Sequence, residues 1–162
     1  MDVNALVKAI QSLNTEDAFR PRLTVEQWRS VTPFLAPHDI RTGDLLIKQG
    51  DTDHTMYFLG QGSLQVFVSG AAPGANKVAI LRAGAVVGET GLFGEFPRMA
   101  SVEAMTPCTV WALRGPRLEE LVQRAPALAL ERIRAAGAVM LTRVRANQAQ
   151  KTSFACAERR PV

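Results

Sequence analysis

Histidine and cysteine are scarce, with two of each among 162 residues. Neither His38 nor His54 has a second histidine at ligand spacing, and Cys108 stands far from Cys156. The pattern therefore builds no zinc set, no metal-dependent oxygenase centre and no disulfide framework, and no metal is expected. His38 follows Pro37 in a turn and His54 falls in the acidic loop GDTDH, so both are expected at the surface. Asp51 and Asp53 of that loop lack the rest of a calcium-binding sequence, and a turn is the simpler account. No Ser-His-Asp or Cys-His signature is present either, and the chain is not expected to be an enzyme. Long hydrophobic runs are missing too: nothing approaches the ~20 apolar residues that span a bilayer, and Met1 to Ile10 lacks the basic start of a signal peptide. A cytoplasmic location without a membrane span follows as an expectation.

Apolar residues make up 47% of the chain, and glycine and proline are too few for disorder, so the sequence should fold as one domain. The net charge of +4 comes from basic residues that are scattered until the carboxyl-terminal third. That distribution suits a solvated surface better than a nucleic-acid face.

Three textures follow one another. Leu6, Ile10 and Leu13, then Leu23, Trp28, Val31 and Phe34, recur at helical spacing within residues 1–36, with Thr24 and Gln27 as a capping-box pair. Between 40 and 114 come short β-type runs, DLLIKQ, TMYFLG, SLQVFVS, KVAILR and TVWAL, separated by glycines and Pro107. Helical spacing returns over 116–150, broken at Pro126. The expectation is an α+β domain over residues 1–150: an antiparallel β-roll of the jelly-roll or double-stranded β-helix type, N-terminal helices, and C-terminal hinge and lid helices. The stretch 69–76, SGAAPGAN, reads as a hairpin tip, and the tail 151–162 as frayed.

One stretch interrupts the roll. GETGLFGEFPRMAS, residues 88–101, lies between strand-like AVV and strand-like SVEAM and packs two glutamates, a proline and one arginine between apolar runs. ETGLFG has the length of a single helical turn, whose first N–H groups lack intrahelical acceptors and attract an anion. Arg98 adds a planar fork matched to two oxygens of one phosphate. Glu89 cannot bind an anion, but a carboxylate accepts hydrogen bonds from sugar hydroxyls. The competing account is a Glu89–Arg98 ion pair on the rim.

VVGETGLFGEFPRMASVEA resembles the phosphate-binding cassette of the cyclic nucleotide-binding domain family at Gly88, Glu89, Gly91, Leu92, Pro97, Arg98, Ala100, Ser101 and Val102. Upstream, RTGDLLIKQGDTDHTMYFLGQGSLQV is similar to that family's opening strands, with Gly43, Asp44, Gly50, Asp51, Tyr57 and Gly62 at the usual places. The likeness runs over about 23–145. It implies a sensor for cyclic AMP, with Arg98 on the exocyclic phosphate, Glu89 on the ribose 2′-hydroxyl, and the amides of Gly88 and Ala100 completing the cradle. Thr90, Met99 and Ser101 join the implied ligand-contacting set, and a residue of the last helix closes over the base; Val139, Met140 and Arg143 fall near that position, with Arg143 preferred for its stacking guanidinium.

Two departures from the family pattern stand out. Val87 replaces a phenylalanine, and Met99 stands where a small or hydroxyl-bearing residue is usual. Without a hydroxyl there, a polar grip on guanine is lost and cyclic GMP is the less favoured ligand. Met99 equally fits a gap-filler in the core, and Ser101 a structural strand residue. The alternative to a sensor is a degenerate fold serving as a protein-interaction module. A downstream protein partner and a homodimer through the C-terminal helix are further expectations; a helix-turn-helix reading DNA is not, since the sequence ends soon after the last long helix.

Overall fold

The computed structural model describes residues 2–70 and 77–158. Helix α1, Val3–Ser12, starts at Asp2, whose carboxylate accepts from the Asn4 N–H, and it turns Leu6 and Ile10 inward. Helix α2, Val25–Val31, opens on the expected capping box: Gln27 N–H donates to the Thr24 hydroxyl at 3.2 Å, and Thr24 N–H donates to the Gln27 side chain at 2.8 Å. A 3₁₀ turn over Thr32–Phe34 then hands the chain to the roll.

Eight strands follow: β1 (Ala36–Ile40), β2 (Leu45–Ile47), β3 (Met56–Gln61), β4 (Ser63–Phe67), β5 (Lys77–Arg82), β6 (Val86–Val87), β7 (Ser101–Ala104) and β8 (Cys108–Leu113). They form two four-stranded sheets of order β1-β8-β3-β6 and β2-β7-β4-β5, with every pairing antiparallel. This is the β-roll expected from the spacing of the runs. The roll begins at Ala36 rather than at residue 40, because β1 pairs along β8 from Ala36↔Ala112 to Ile40↔Cys108. Its middle residues, Pro37, His38 and Asp39, are exposed, so an edge strand carries no alternating pattern to announce it. The tip proposed for 69–76 joins the paired strands β4 and β5, and its residues 71–76 lie outside the described residues.

Helix α3 spans Gly115–Arg124, and α4 starts at Pro126, whose missing N–H is harmless in a first turn. The tail expectation is corrected here: α4 runs on to Glu158, and only 159–162 lie outside the described residues. Its sequence beyond Gln150 lacks a hydrophobic period but holds no glycine or proline before Pro161, so nothing in it breaks a helix already propagating.

Side chains alternate between two cores. Along β3, Met56 and Phe58 face the helices while Leu59 faces the opposite sheet; along β8, Trp111 and Leu113 face the helices while Val110 faces inward. Arg132 of α4 is the exception in the helix-facing layer. It is 1% exposed, with its guanidinium carbon 5.0 Å from the Phe58 ring centre and 5.9 Å from that of Trp28. None of its three nitrogens has a hydrogen-bond partner among the described residues, nor has Trp111 Nε1. Burial pushes its pKa down to about 9, still above neutrality, so the charge stays inside the core. Two ring faces return about 2 kcal/mol each at best, against a desolvation penalty of several kcal/mol for a buried ion.

Glycine is required where α1 crosses the roll. Gly84 has φ +93°, and a Cβ there would lie 2.2 Å from the carbonyl oxygen of Ala9, whereas Gly43, with φ +88°, has open space around it. Gly43→Ala is expected to cost about 1–2 kcal/mol from backbone strain alone. Gly84→Ala, which also drives α1 off the roll, is expected to cost about 3 kcal/mol or more in urea unfolding. Equal losses would remove the α1 contact from the account.

Candidate functional site

The roll is interrupted because β6 ends after two residues at Gly88, whose left-handed φ of 77° turns the chain away from β3. A tight 3₁₀ turn over Glu89–Leu92 follows, closed by Gly91 N–H to Gly88 C=O and Phe93 N–H to Thr90 C=O, each at 3.1 Å. The single helical turn expected at ETGLFG is therefore present, with a tighter pitch. The chain returns to sheet at Ser101.

Arg98 is held on every side. It is 4% exposed, and its Nη2 donates to Asp53 Oδ1 at 2.7 Å and to the Thr55 carbonyl at 2.6 Å. Its Nη1 donates to the Gly88 carbonyl at 2.8 Å and its Nε to Asp53 Oδ2 at 3.3 Å. The backbone is tied as well, Arg98 N–H to Asp51 C=O and Gly50 N–H to Arg98 C=O, both at 2.8 Å. A Cβ on Gly88 or Gly91 would come within 3.1 and 3.0 Å of Nη1, so both glycines make room for the guanidinium. Asp53 is the residue that sequence reasoning did not assign to the site. Its only local signal is the turn, which does form: Asp53 Oδ1 accepts from Thr55 N–H at 2.9 Å. His54 is exposed as expected, yet its Nδ1 lies 3.0 Å from the Gly91 carbonyl and, as a donor, ties the same loop to the 3₁₀ turn.

Glu89 is 5% exposed and does not pair with Arg98. Its Oε2 accepts from Arg143 Nη1 of α4 at 2.9 Å. Arg143 also donates from Nε to Asp17 Oδ2 at 2.9 Å and from Nη2 to the Val86 carbonyl at 2.7 Å. One side chain thus joins the 3₁₀ turn, the last helix and the segment between α1 and α2. Beside it on α4, Val139 is buried in the helix-facing core and Met140 is half-buried.

The remaining candidates divide. Thr90 and Ala100 are half-buried beside Glu89 and Arg98 along the chain. Ser101 is buried, and its hydroxyl accepts from Gln49 N–H at 3.0 Å, which gives it a structural bond between β7 and the β2 end. Met99 is 73% exposed, so the reading of it as a core filler is corrected: the backbone that turns Arg98 inward turns its neighbour outward. Among the described residues, no group of three or more His, Cys, Asp or Glu is placed to hold a metal ion.

Burial alone would raise the pKa of Asp53 and of Asp17, but the hydrogen bonds and charges of Arg98 and of Arg143, with local N–H donors, outweigh it, so both carboxyls lie below their ordinary 3.8. Because the folded values are depressed, their stabilisation is complete above pH 3.8 and is lost as pH falls through the folded values. A carboxyl NMR titration should place both below 3.8. In Arg98→Ala the Asp53 midpoint, and in Arg143→Met that of Asp17, should rise. An unmoved midpoint would show that the arginine is not the cause.

Comparison with known proteins agrees with this geometry. A family model for the cyclic nucleotide-binding domain matches residues 37–125, more than half of the chain. The chain is 32% identical over 102 residues to a cAMP-dependent protein kinase regulatory subunit of Blastocladiella emersonii, covering 63% of this chain and 25% of that protein. It is 30% identical over 106 residues to the cGMP-dependent protein kinase egl-4 of Caenorhabditis elegans, covering 65% of this chain and 13% of that one. It thus spans a quarter or less of these relatives. Among solved structures, a cyclic nucleotide-binding domain from Methylobacillus flagellatus superposes with a TM-score of 0.71 at 17% identity, covering 99% of this chain and 85% of that one. The catabolite activator protein of Thermus thermophilus gives 0.70 at 22% identity, covering 83% and 61%. With the interrupted roll, the buried Glu89 and Arg98 and the matched segment all in agreement, the chain belongs to the cyclic nucleotide-binding domain family.

Proposed function

We propose that the protein is a non-catalytic sensor that takes cyclic AMP in the segment Gly88–Ser101 and signals through α3 and α4. The observation that carries this reading is the burial of one carboxylate and one guanidinium, Glu89 and Arg98, within the one segment that breaks the roll between β6 and β7. An exposed ion pair would contribute only about 0–1 kcal/mol and would need no such interruption, and the two side chains do not pair with each other. Arg98 supplies the phosphate partner, Asp53 and the Thr55 and Gly88 carbonyls fix its orientation, and Glu89 accepts from the ribose 2′-hydroxyl. Cyclic AMP is preferred to cyclic GMP because Met99 brings no hydroxyl to the position after Arg98. Both kinds of kinase appear among the relatives, which makes the choice between them the first thing to measure.

Signalling follows from the ties already described. The 3₁₀ turn meets α4 through the Glu89–Arg143 pair and meets the loop before β3 through His54, while Asp53 of that loop holds Arg98. A ligand that engages Glu89 and Arg98 biases α4 by its differential affinity for two placements of that helix. The receiving partner is a downstream protein or a second copy docked along α4, working in the cytoplasm; no helix among the described residues is long and apolar enough to cross a membrane.

Calorimetry on protein freed of ligand by unfolding and refolding tests the reading. Cyclic AMP should bind at micromolar levels or tighter, with cyclic GMP weaker. Arg98→Ala should weaken binding roughly 10- to 100-fold, the worth of a charge-assisted hydrogen bond set in a sheltered site, while Ser101→Ala should change it little. Equal loss in both would overturn the phosphate role. Glu89→Gln should reduce the preference for cyclic AMP over its 2′-deoxy analogue, and an unchanged ratio would remove Glu89 from the ribose. Silence with both nucleotides would shift the reading to an interaction module.

A further inference from the structure

We propose that Arg132 and Trp111 form a buried site for a small monovalent anion of halide size, seated between α4 and the sheet β1-β8-β3-β6. Four nitrogens, Arg132 Nε, Nη1 and Nη2 and Trp111 Nε1, are buried without a hydrogen-bond partner among the described residues. All four are donors, and neither side chain can accept, so they cannot satisfy one another. They also share one neighbourhood. Phe58 and Trp111 are register partners across β3 and β8 and face the same helix-side core, and the Arg132 guanidinium lies over the Phe58 ring.

The rings do not replace an acceptor. Phe58 and Trp28 offer their faces to the cation, while the N–H bonds of a guanidinium point outward in its own plane, where a lone pair is needed. The missing chemistry is therefore one negative charge that accepts several N–H donors at once. A single charge is enough: Arg132 takes part in none of the described salt bridges, and Glu89, the one buried acidic side chain among the described residues, is already paired with Arg143. Halide size follows from enclosure: Arg132 is 1% and Trp111 5% exposed, which leaves no opening for the body of an organic acid. Water could accept from two donors but would leave the charge uncompensated. Chloride is the abundant anion of this kind. Arg132 precedes Arg143 on α4, so the anion fixes the seat of the helix that also reaches Glu89.

The test exchanges the full chain into sodium gluconate and titrates in sodium chloride or bromide at constant ionic strength, following the melting temperature. A tenfold excess of halide over its dissociation constant should raise the midpoint by about 3–6 °C. Arg132→Met should abolish that rise, and Trp111→Phe should shift the halide titration to higher concentration. A rise that is equal in gluconate, or that survives in Arg132→Met, or a Trp111→Phe titration identical to the parent, would overturn the site. Should Arg132→Met not fold, crystals of the unaltered protein grown in bromide decide alone. An anomalous peak within hydrogen-bond distance of Arg132 supports the proposal, and its absence overturns it.

Discussion

The guanidinium of Arg98 ties together three pieces of chain that otherwise have little reason to stay close. Its side chain joins Asp53 and the carbonyls of Thr55 and Gly88, and its backbone exchanges hydrogen bonds with Gly50 and Asp51. The interruption after β6 would otherwise leave a run of polar backbone near the roll without partners. Charged hydrogen bonds in a sheltered place are stronger than the exposed kind, and this set has a forked donor matched to a carboxylate. The glycines at 88 and 91 belong to the same arrangement, since a methyl group at either would press on the fork. The turn, the loop before β3 and the arginine are thus a single unit, and Glu89 is displayed from it.

Helix α4 is attached to that unit by different physics along its length. Near its start it is held by apolar burial: Ala129, Ala136 and Val139 are all nearly inaccessible. Farther on, the attachment is ionic, with Arg143 bridging Glu89, Asp17 and the Val86 carbonyl. Apolar contact is spread over many side chains, whereas the ionic attachment rests on two carboxylate oxygens, Glu89 Oε2 and Asp17 Oδ2. Asp17 extends that attachment to the chain between α1 and α2.

Much of the architecture was legible because it is written locally. The strand runs are short, β-type and separated by glycines, the capping box of Thr24 and Gln27 sits three residues apart, and Gly88, Glu89 and Arg98 occur within eleven residues of one another. What was hidden was either patternless or distant. Strand β1 presents exposed polar residues at an edge, and the end of α4 lacks an apolar stripe, so neither carries a period. Asp53 is 45 residues from Arg98, and Asp17 is 126 from Arg143, separations over which no spacing rule operates.

The sequence by itself determined the order of helices, roll and helices, the place where the roll is broken, and the two charged residues set at that break. These rest on backbone preference and side-chain periodicity, which act between neighbours along the chain. Tertiary structure decided the partners. Glu89 meets Arg143 instead of Arg98, Arg98 meets Asp53, Met99 faces solvent, and Arg132 enters the core with its donors unmatched. Pairing of charges depends on distance in space, and only the packing of α4 and the 50–55 loop against the roll sets those distances.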